Sequence, residues 1–234
     1  MGLELTNRCF IIGEVGTCHA NPDPSERFYR AMDYVHIAST TGIDAIKFQM
    51  FDDPNPETMF CWIEGDKDRA YRWSQSRLSI DQWWKVKCEA EQCGLVFLSS
   101  PFEHETVKWQ TELDVCATKV ASRAAAYLDA YKNAPKPLLV SNGMYEVESA
   151  DDRIILQCEA NYPSHTRWKQ REHGFSDHSG NPYRAIDAIA RGCKLLEVHF
   201  YVNPVHAGPD LPASLTLDQL RMVCEARDTL HDSL

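Results

Sequence analysis

Phe10-Ile11-Ile12-Gly13-Glu14-Val15 is apolar at nearly every position and so has no polar face to turn toward water. A strand of that kind is covered on both sides, which is the mark of a parallel sheet. Seven further runs share the character: Ile43 to Phe48, Leu95 to Ser99, Val115 to Ala121, Pro137 to Ser141, Ile154 to Cys158, His173 to Ser176 and Leu195 to Phe200. Helix starts lie between several of them. Asp23-Pro24-Ser25-Glu26 offers a capping acid, a proline at the first helical position and a glutamate able to reach back, followed by an apolar stripe of Phe28, Ala31, Met32 and Val35. Ser79-Ile80-Asp81-Gln82 and Thr216-Leu217-Asp218-Gln219 have capping-box spacing, and Asn181-Pro182 opens a helix that stops at Gly192. Alternating strands and helices give a parallel sheet, and eight such units predict an α/β fold closed as a compact (β/α)8 TIM barrel. Between Gly143 and Ile154, and between Tyr162 and Gly174, there is barely room for two helical turns, so shortened helices are expected after strands 5 and 6.

At 234 residues and 44% hydrophobic the chain suits one large core, and residues 1–234 are read as a single barrel domain. The net charge of -10 argues against nucleic acid or an anionic membrane surface as partner, so an anionic substrate needs a local positive pocket. Met1 to Gly13 lacks the features of a signal peptide and no run approaches a membrane span, which leads to a cytoplasmic expectation. Nine cysteines without a Cys-x-x-Cys pair read as thiols in a reducing compartment. Met50 to Leu78 is long, polar and aromatic; following a strand, it belongs on the catalytic face as a lid or acceptor-binding element, or else is a decorated surface loop.

Barrel enzymes carry their chemistry at the C-terminal ends of the strands. His178, in Phe175-Ser176-Asp177-His178, and His199, closing Leu195 to Phe200, stand at such ends and could share one divalent metal ion. Either alone is an ordinary strand-end histidine. Lys47 and Lys119 are placed the same way, and a cation, a metal ligand and serines at successive strand ends suit a phosphorylated acid.

In order, the strand ends read Ile12-Gly13-Glu14-Val15-Gly16, Lys47-Phe48-Gln49, Ser99-Ser100-Pro101, Lys119-Val120-Ala121-Ser122, Ser141-Asn142-Gly143, Cys158-Glu159-Ala160-Asn161-Tyr162-Pro163, Ser176-Asp177-His178, Glu197-Val198-His199 and Gly208-Pro209-Asp210. This ordered set resembles the N-acetylneuraminate (sialic acid) synthase family, NeuB-like enzymes and their relatives that make other nonulosonic acids, over its catalytic barrel and without the C-terminal antifreeze-like domain. The resemblance implies condensation of phosphoenolpyruvate with a sugar aldehyde, assisted by a divalent metal such as Mn2+ or Mg2+, to give a 2-keto-3-deoxy sugar acid and phosphate; it also allows a homodimer. It assigns catalytic roles to Glu14, Lys47, Lys119 and His178, and the metal to His178 and His199. Substrate binding falls to Gln49, Ser100, Ser122, Ser141, Asn161, Tyr162, Ser176 and Asp210. Glu14 could instead be a buried carboxylate paired with Lys47 or Lys119, and Tyr162 a loop anchor.

Two positions depart from the family pattern within the barrel. Where the family carries an acid two residues after the fourth-strand serine, this chain has Ser122-Arg123-Ala124, and the asparagine two residues before the sixth-strand tyrosine is Ala160, with Asn161 beside it. The donor half of the site therefore reads as intact and the acceptor half as rebuilt. An anionic acceptor drawn by Arg123 and the arginines of the Met50 to Leu78 loop is one expectation; the rival is a phosphoenolpyruvate or phosphosugar binder, or a weak hydrolase, on the same barrel.

Overall fold

A computed structural model of the chain describes residue 3, residues 5–170 and residues 172–232. All eight expected runs form strands: β1 (Phe10–Gly16), β2 (Ala45–Met50), β3 (Val96–Pro101), β4 (Thr118–Val120), β5 (Leu138–Ser141), β6 (Arg153–Cys158), β7 (Gly174–Asp177) and β8 (Leu195–Phe200). A short β9 (Ser214–Leu215) is added alongside β8. Among the described residues every ladder between these strands is parallel, and the order β3-β2-β1-β8-β7-β6-β5-β4 runs around a TIM barrel. At the seam β3 and β4 lie side by side without a ladder among the described residues.

The helices are α1 (Pro24–Ala38), α2 (Lys67–Ser74), α3 (Ile80–Gln92), α4 (His104–Glu112), α5 (Pro182–Ala190), α6 (Pro204–Ala207) and α7 (Leu217–Asp232). Their starts follow the sequence signals. The Asp23 side chain accepts from the amides of Ser25 and Glu26, and Ser79 and Gln82 exchange reciprocal bonds, as do Thr216 and Gln219. The shortening expected after β5 and β6 goes to its limit: neither connection forms a helix among the described residues. After β6 the reason is local. Gln157 bonds the Arg167 carbonyl and the Lys169 amide, and the buried Trp168 fills the space against the barrel that a helix would otherwise cover. After β4 the chain takes 3-10 turns over Ser122–Tyr131 in place of an α-helix. No helix among the described residues is long and apolar enough to cross a membrane.

Side chains alternate inward and outward along each strand. The outward set, including Ile11, Ile46, Phe48, Phe97, Leu196 and Phe200, packs under the helices. The inward set begins with an apolar plug of Phe10, Ile12, Ala45, Val96, Leu98, Ala117, Leu139, Leu156 and Leu195. Two residues further along the same strands the inward positions turn polar: Glu14 above Ile12, Lys47 above Ala45, Ser100 above Leu98, Lys119 above Ala117, Ser141 above Leu139 and Glu197 above Leu195. The plug closes the barrel from below, so this polar layer opens only toward the C-terminal ends of the strands.

At the opposite end Asp44 ties the chain's two ends together. Its carboxylate accepts from the Ile11 amide at 2.7 Å, from Arg227 Nη1 at 2.7 Å and from Arg8 Nη1 at 2.6 Å. The Arg227 side chain is only 1% exposed, so loss of Asp44 leaves its buried charge to the half-exposed Asp228 alone and also strips the Ile11 amide of its acceptor. Asp44→Ala should therefore cost about 3 to 5 kcal/mol of unfolding free energy, the range for breaking a buried ion pair. Urea denaturation measures it, and a loss below about 1 kcal/mol, the scale of a surface pair, would mean that the network adds little.

Candidate active site

The polar layer forms the floor of a cavity of about 330 Å³ at the C-terminal end of the barrel, a size suited to small-molecule sites. Register explains the juxtaposition: Glu14 on β1 stands opposite Lys47 on β2 and His199 on β8, and Ser176 on β7 opposite Glu197 on β8. Lys47 Nζ pairs with Glu14 Oε2, lies 3.7 Å from Glu197 Oε2 and donates to Ser100 Oγ at 2.9 Å. Lys119 Nζ donates to Ser141 Oγ at 2.7 Å and to the Val120 carbonyl at 3.1 Å. Ser176 Oγ donates to Glu197 Oε1 at 2.9 Å. Ser122 Oγ is buried with no hydrogen-bond partner and faces the same cavity, a donor available to a ligand.

The two carboxylates of this floor are pushed in opposite directions. Burial raises Glu14 to about 7 against the pull of Lys47, with Glu197 adding to the rise. Burial also works to raise Glu197, but Lys119 and Lys47 together overcome it and hold that carboxyl at about 2. Opposed shifts in one pocket separate a proton-carrying group from a permanently ionised one. Lys47 is raised because its carboxylates outweigh desolvation, whereas desolvation prevails at Lys119 and lowers it.

Above the floor, His178 and His199 turn their Nε2 atoms to a common point, where the Tyr162 hydroxyl lies 3.2 Å from the first and 3.4 Å from the second. The Nδ1–H of His178 donates to the Glu159 carbonyl at 2.7 Å, which fixes the tautomer and leaves its Nε2 lone pair facing the cavity. Desolvation holds both histidines at about 4, so both rings are neutral near pH 7 and able to bind a metal. Among the described residues no third His, Cys, Asp or Glu donor closes on the pair. Tyr162 is 40% exposed as a residue, yet its ring stacks on His178 at 4.4 Å and its hydroxyl points inward.

All the residues singled out from the sequence line this cavity: Glu14, Lys47, Gln49, Ser100, Lys119, Ser122, Ser141, Asn161, Tyr162, Ser176, His178, His199 and Asp210. Asn161 sits at the exposed rim with its amide donating to Glu159. Ser99, the neighbour of Ser100, faces away and bonds Gln110. Of the loop arginines, Arg69 lines the cavity, Arg72 is engaged by Thr17 and the His206 carbonyl, and Arg77 reaches only Asp53 at 3.9 Å. Arg69 and Trp73 come from the Met50 to Leu78 loop expected on this face, whereas sequence reasoning missed Glu197 and Cys158. Alternation points to both: Glu197 precedes His199 by two on an inward face, and Cys158 follows Leu156 by two.

A sequence profile of the NeuB family matches residues 34–170 and 165–234. Among curated relatives, the N,N'-diacetyllegionaminic acid synthase of Campylobacter jejuni is 24% identical, covering 93% of this chain and 75% of its own length. The pseudaminic acid synthase of the same species is 26% identical, covering 94% and 73%. Among solved structures, the N-acetylneuraminic acid (sialic acid) synthetase of Leptospira borgpetersenii, crystallised with citrate, superposes with a TM-score of 0.77 at 19% identity, over 97% of this chain and 85% of that one.

The buried histidines set a pH dependence of stability. His19, His178 and His199 are all held at about 4, primarily by desolvation, whereas unfolded histidines titrate near 6.5. Between those values the unfolded chain binds more protons, so these groups make stability fall as pH is lowered from about 6.5 toward 4. Glu14 at about 7 and Asp177 at about 6 act in the opposite sense within the window, because the folded state keeps protons that unfolded carboxyls release. Asp210 and Glu103, also raised by burial, act with these carboxyls, but three histidines each displaced from about 6.5 to about 4 set the sign. Urea midpoints should be lower at pH 5 than at pH 6.5; a higher midpoint at pH 5 would give control to the carboxyls.

Proposed function

The chain belongs to the NeuB family, and on that premise we propose that it is an enzyme condensing phosphoenolpyruvate with the aldehyde of an aldose. The products are a 2-keto-3-deoxy sugar acid of the sialic or nonulosonic type and phosphate. The observation that carries the reading is the buried floor of two lysines, two carboxylates and three serines, with Ser122 and two neutral histidines facing the same cavity. The bacterial relatives named as synthases support it. Nine free cysteines suit the reducing cytoplasm.

Phosphoenolpyruvate offers a phosphate and a carboxylate. Lys119, which has no direct ion pair among the described residues, and Lys47 with Ser100 receive these groups, and Ser122, Ser141 and Ser176 supply neutral donors. The methylene carbon of phosphoenolpyruvate attacks the aldehyde carbon, and the aldehyde oxygen takes up a proton. Water then adds at the phosphate-bearing carbon and loses a proton, and that carbon's bond to the phosphate oxygen breaks to leave the keto acid. Glu14, titrating at about 7, suits both proton transfers, while Glu197 stays ionised and holds Lys47 and Lys119 in place. Gln49, Asn161, Tyr162 and Asp210 form the wall against which the aldose lies.

His178 and His199 fit a divalent ion, being neutral and convergent with the His178 tautomer fixed. Bound there, the ion would polarise the aldehyde carbonyl. Two imidazole ligands favour a first-row ion such as manganese over magnesium and leave coordination positions for substrate oxygens. The cavity continues from the lysines to the sugar-side wall, which favours a condensing enzyme over a simple binder or hydrolase.

Phosphate release measured with phosphoenolpyruvate, manganese and a panel of aldoses tests the reading: it should require an aldose. Release without any aldose would show a hydrolase, and none at all would sink the proposal. Lys119→Ala should weaken phosphoenolpyruvate binding by about 2 to 4 kcal/mol in calorimetry. Manganese should raise the melting temperature of the wild type, and His178→Ala and His199→Ala should each abolish the rise. A rise that persists in both variants would remove the metal from this pair.

A further inference from the structure

We propose that Arg123 recognises an anionic group on the aldose, so that the acceptor is a phosphorylated or carboxylated sugar and not a neutral one. The inference rests on the condensation reading and narrows its substrate class. Arg123 follows Ser122 just beyond β4, at the start of the 3-10 turns, and its half-buried side chain lines the cavity. Among the described residues, no group accepts a hydrogen bond from its guanidinium and no carboxylate lies within ion-pair distance. Other covered arginines each hold several acceptors: Arg27 donates to three backbone carbonyls, Arg72 to Thr17 and the His206 carbonyl, and Arg227 to Asp44, Asp228 and the Gly42 carbonyl.

A planar guanidinium with free N–H groups, partly removed from water, is a fork that matches a phosphate or a carboxylate. Its surroundings strengthen the case. Arg69 lines the same cavity and repels Arg123, which together with desolvation lowers the Arg123 pKa. Arg69 already pairs with Asp66 at 3.0 Å, so it is Arg123 that an anion seated beside both guanidiniums would neutralise. The position two residues after Ser122 brings no compensating charge, because Ala124 is fully buried in an apolar cluster with Val120, Tyr131 and Val140. Asp210 shares the cavity and attracts Arg123 but does not pair with it. The floor lysines are occupied by phosphoenolpyruvate in this reading, so the anion that Arg123 awaits belongs to the second substrate.

Hexitols lack the aldehyde and cannot react, so their binding isolates recognition from turnover. Calorimetry is run with saturating phosphoenolpyruvate and three probes: a hexitol, its 6-phosphate, and the same hexitol oxidised to a carboxylate at carbon 6. The wild type should bind at least one anionic probe about tenfold or more tightly than the neutral one, the scale of a charged hydrogen bond. Arg123→Gln should lose that preference with an unchanged melting temperature, and Arg123→Lys should keep part of it. Which anionic probe binds more tightly identifies phosphate or carboxylate as the source. Equal affinity for all three, no measurable binding of either anionic probe, or a preference that survives Arg123→Gln overturns the inference. Should aldoses release phosphate with equal kcat/KM for neutral and anionic forms, the condensation reading stands and this inference falls. Should no aldose release phosphate while the Arg123-dependent preference holds, the anion site stands and the condensation reading falls.

Discussion

Two carboxylates and two ammonium groups are buried together at the mouth of the barrel, and this balance constrains the rest of the structure. Glu14, Lys47, Lys119 and Glu197 are each 1 to 3% exposed. Any one of them alone would carry a desolvation penalty of several kcal/mol. As a quartet their charges balance, and Ser100, Ser141 and Ser176 hydrogen-bond to Lys47, Lys119 and Glu197 in turn. Their placement follows from strand geometry: on β1, β2, β4 and β8 each lies two residues beyond an inward residue of the apolar plug, Ile12, Ala45, Ala117 and Leu195. The plug matters to the electrostatics because it admits no water from below. A wetter floor would screen the attraction that holds Glu197 at about 2.

A neutral quartet also explains how a strongly anionic substrate can enter an acidic protein. Lys47 is committed to Glu14, whereas the nearest bonded partners of Lys119 are a serine and a carbonyl. Lys119 is therefore the first cation open to an incoming phosphate. Added negative charge raises the pKa of a nearby carboxyl, and the one poised to respond is Glu14, already at about 7. Substrate entry and protonation of Glu14 are thus coupled: the anion that draws on Lys47 favours a proton on the carboxyl that Lys47 had been neutralising. In the proposed reaction, the acid for carbon–carbon bond formation would be generated by the substrate that requires it.

The fold and the floor were legible in the sequence because both depend on local pattern. Apolar runs gave the strands, capping residues gave α1, α3, α5 and α7, and the residues at strand ends gave the lysines, histidines and serines. Glu197 lies inside the strand that His199 closes and so carries no strand-end signal, although the alternation that brings His199 inward brings Glu197 inward as well. The absence of helices after β5 and β6 was only partly legible. Spacing set the limit on length, but the loop is held by Gln157 reaching across to Arg167 and Lys169 and by the burial of Trp168, contacts that no local signal announces.

The rim of the cavity was less legible, for a different reason. It is assembled from loops that follow separate strands and meet only in the folded barrel. Arg72, on α2, reaches Thr17 after β1 and the His206 carbonyl after β8, and Gly208, at a φ of 59°, passes so close to the guanidinium that a Cβ there would collide with it. That clamp positions the loop carrying Arg69 and Trp73. Phe51, Met59, Trp73 and Phe102 then pack as an apolar cluster beneath it. Gly16, also at positive φ, leaves room for the Asp210 carboxylate beside Glu14 and Gln49. Strand geometry dictates the floor, whereas the rim depends on how these loops lock together. A change of loop residue can therefore alter which sugar is accepted while the strand-end chemistry beneath it stays in place.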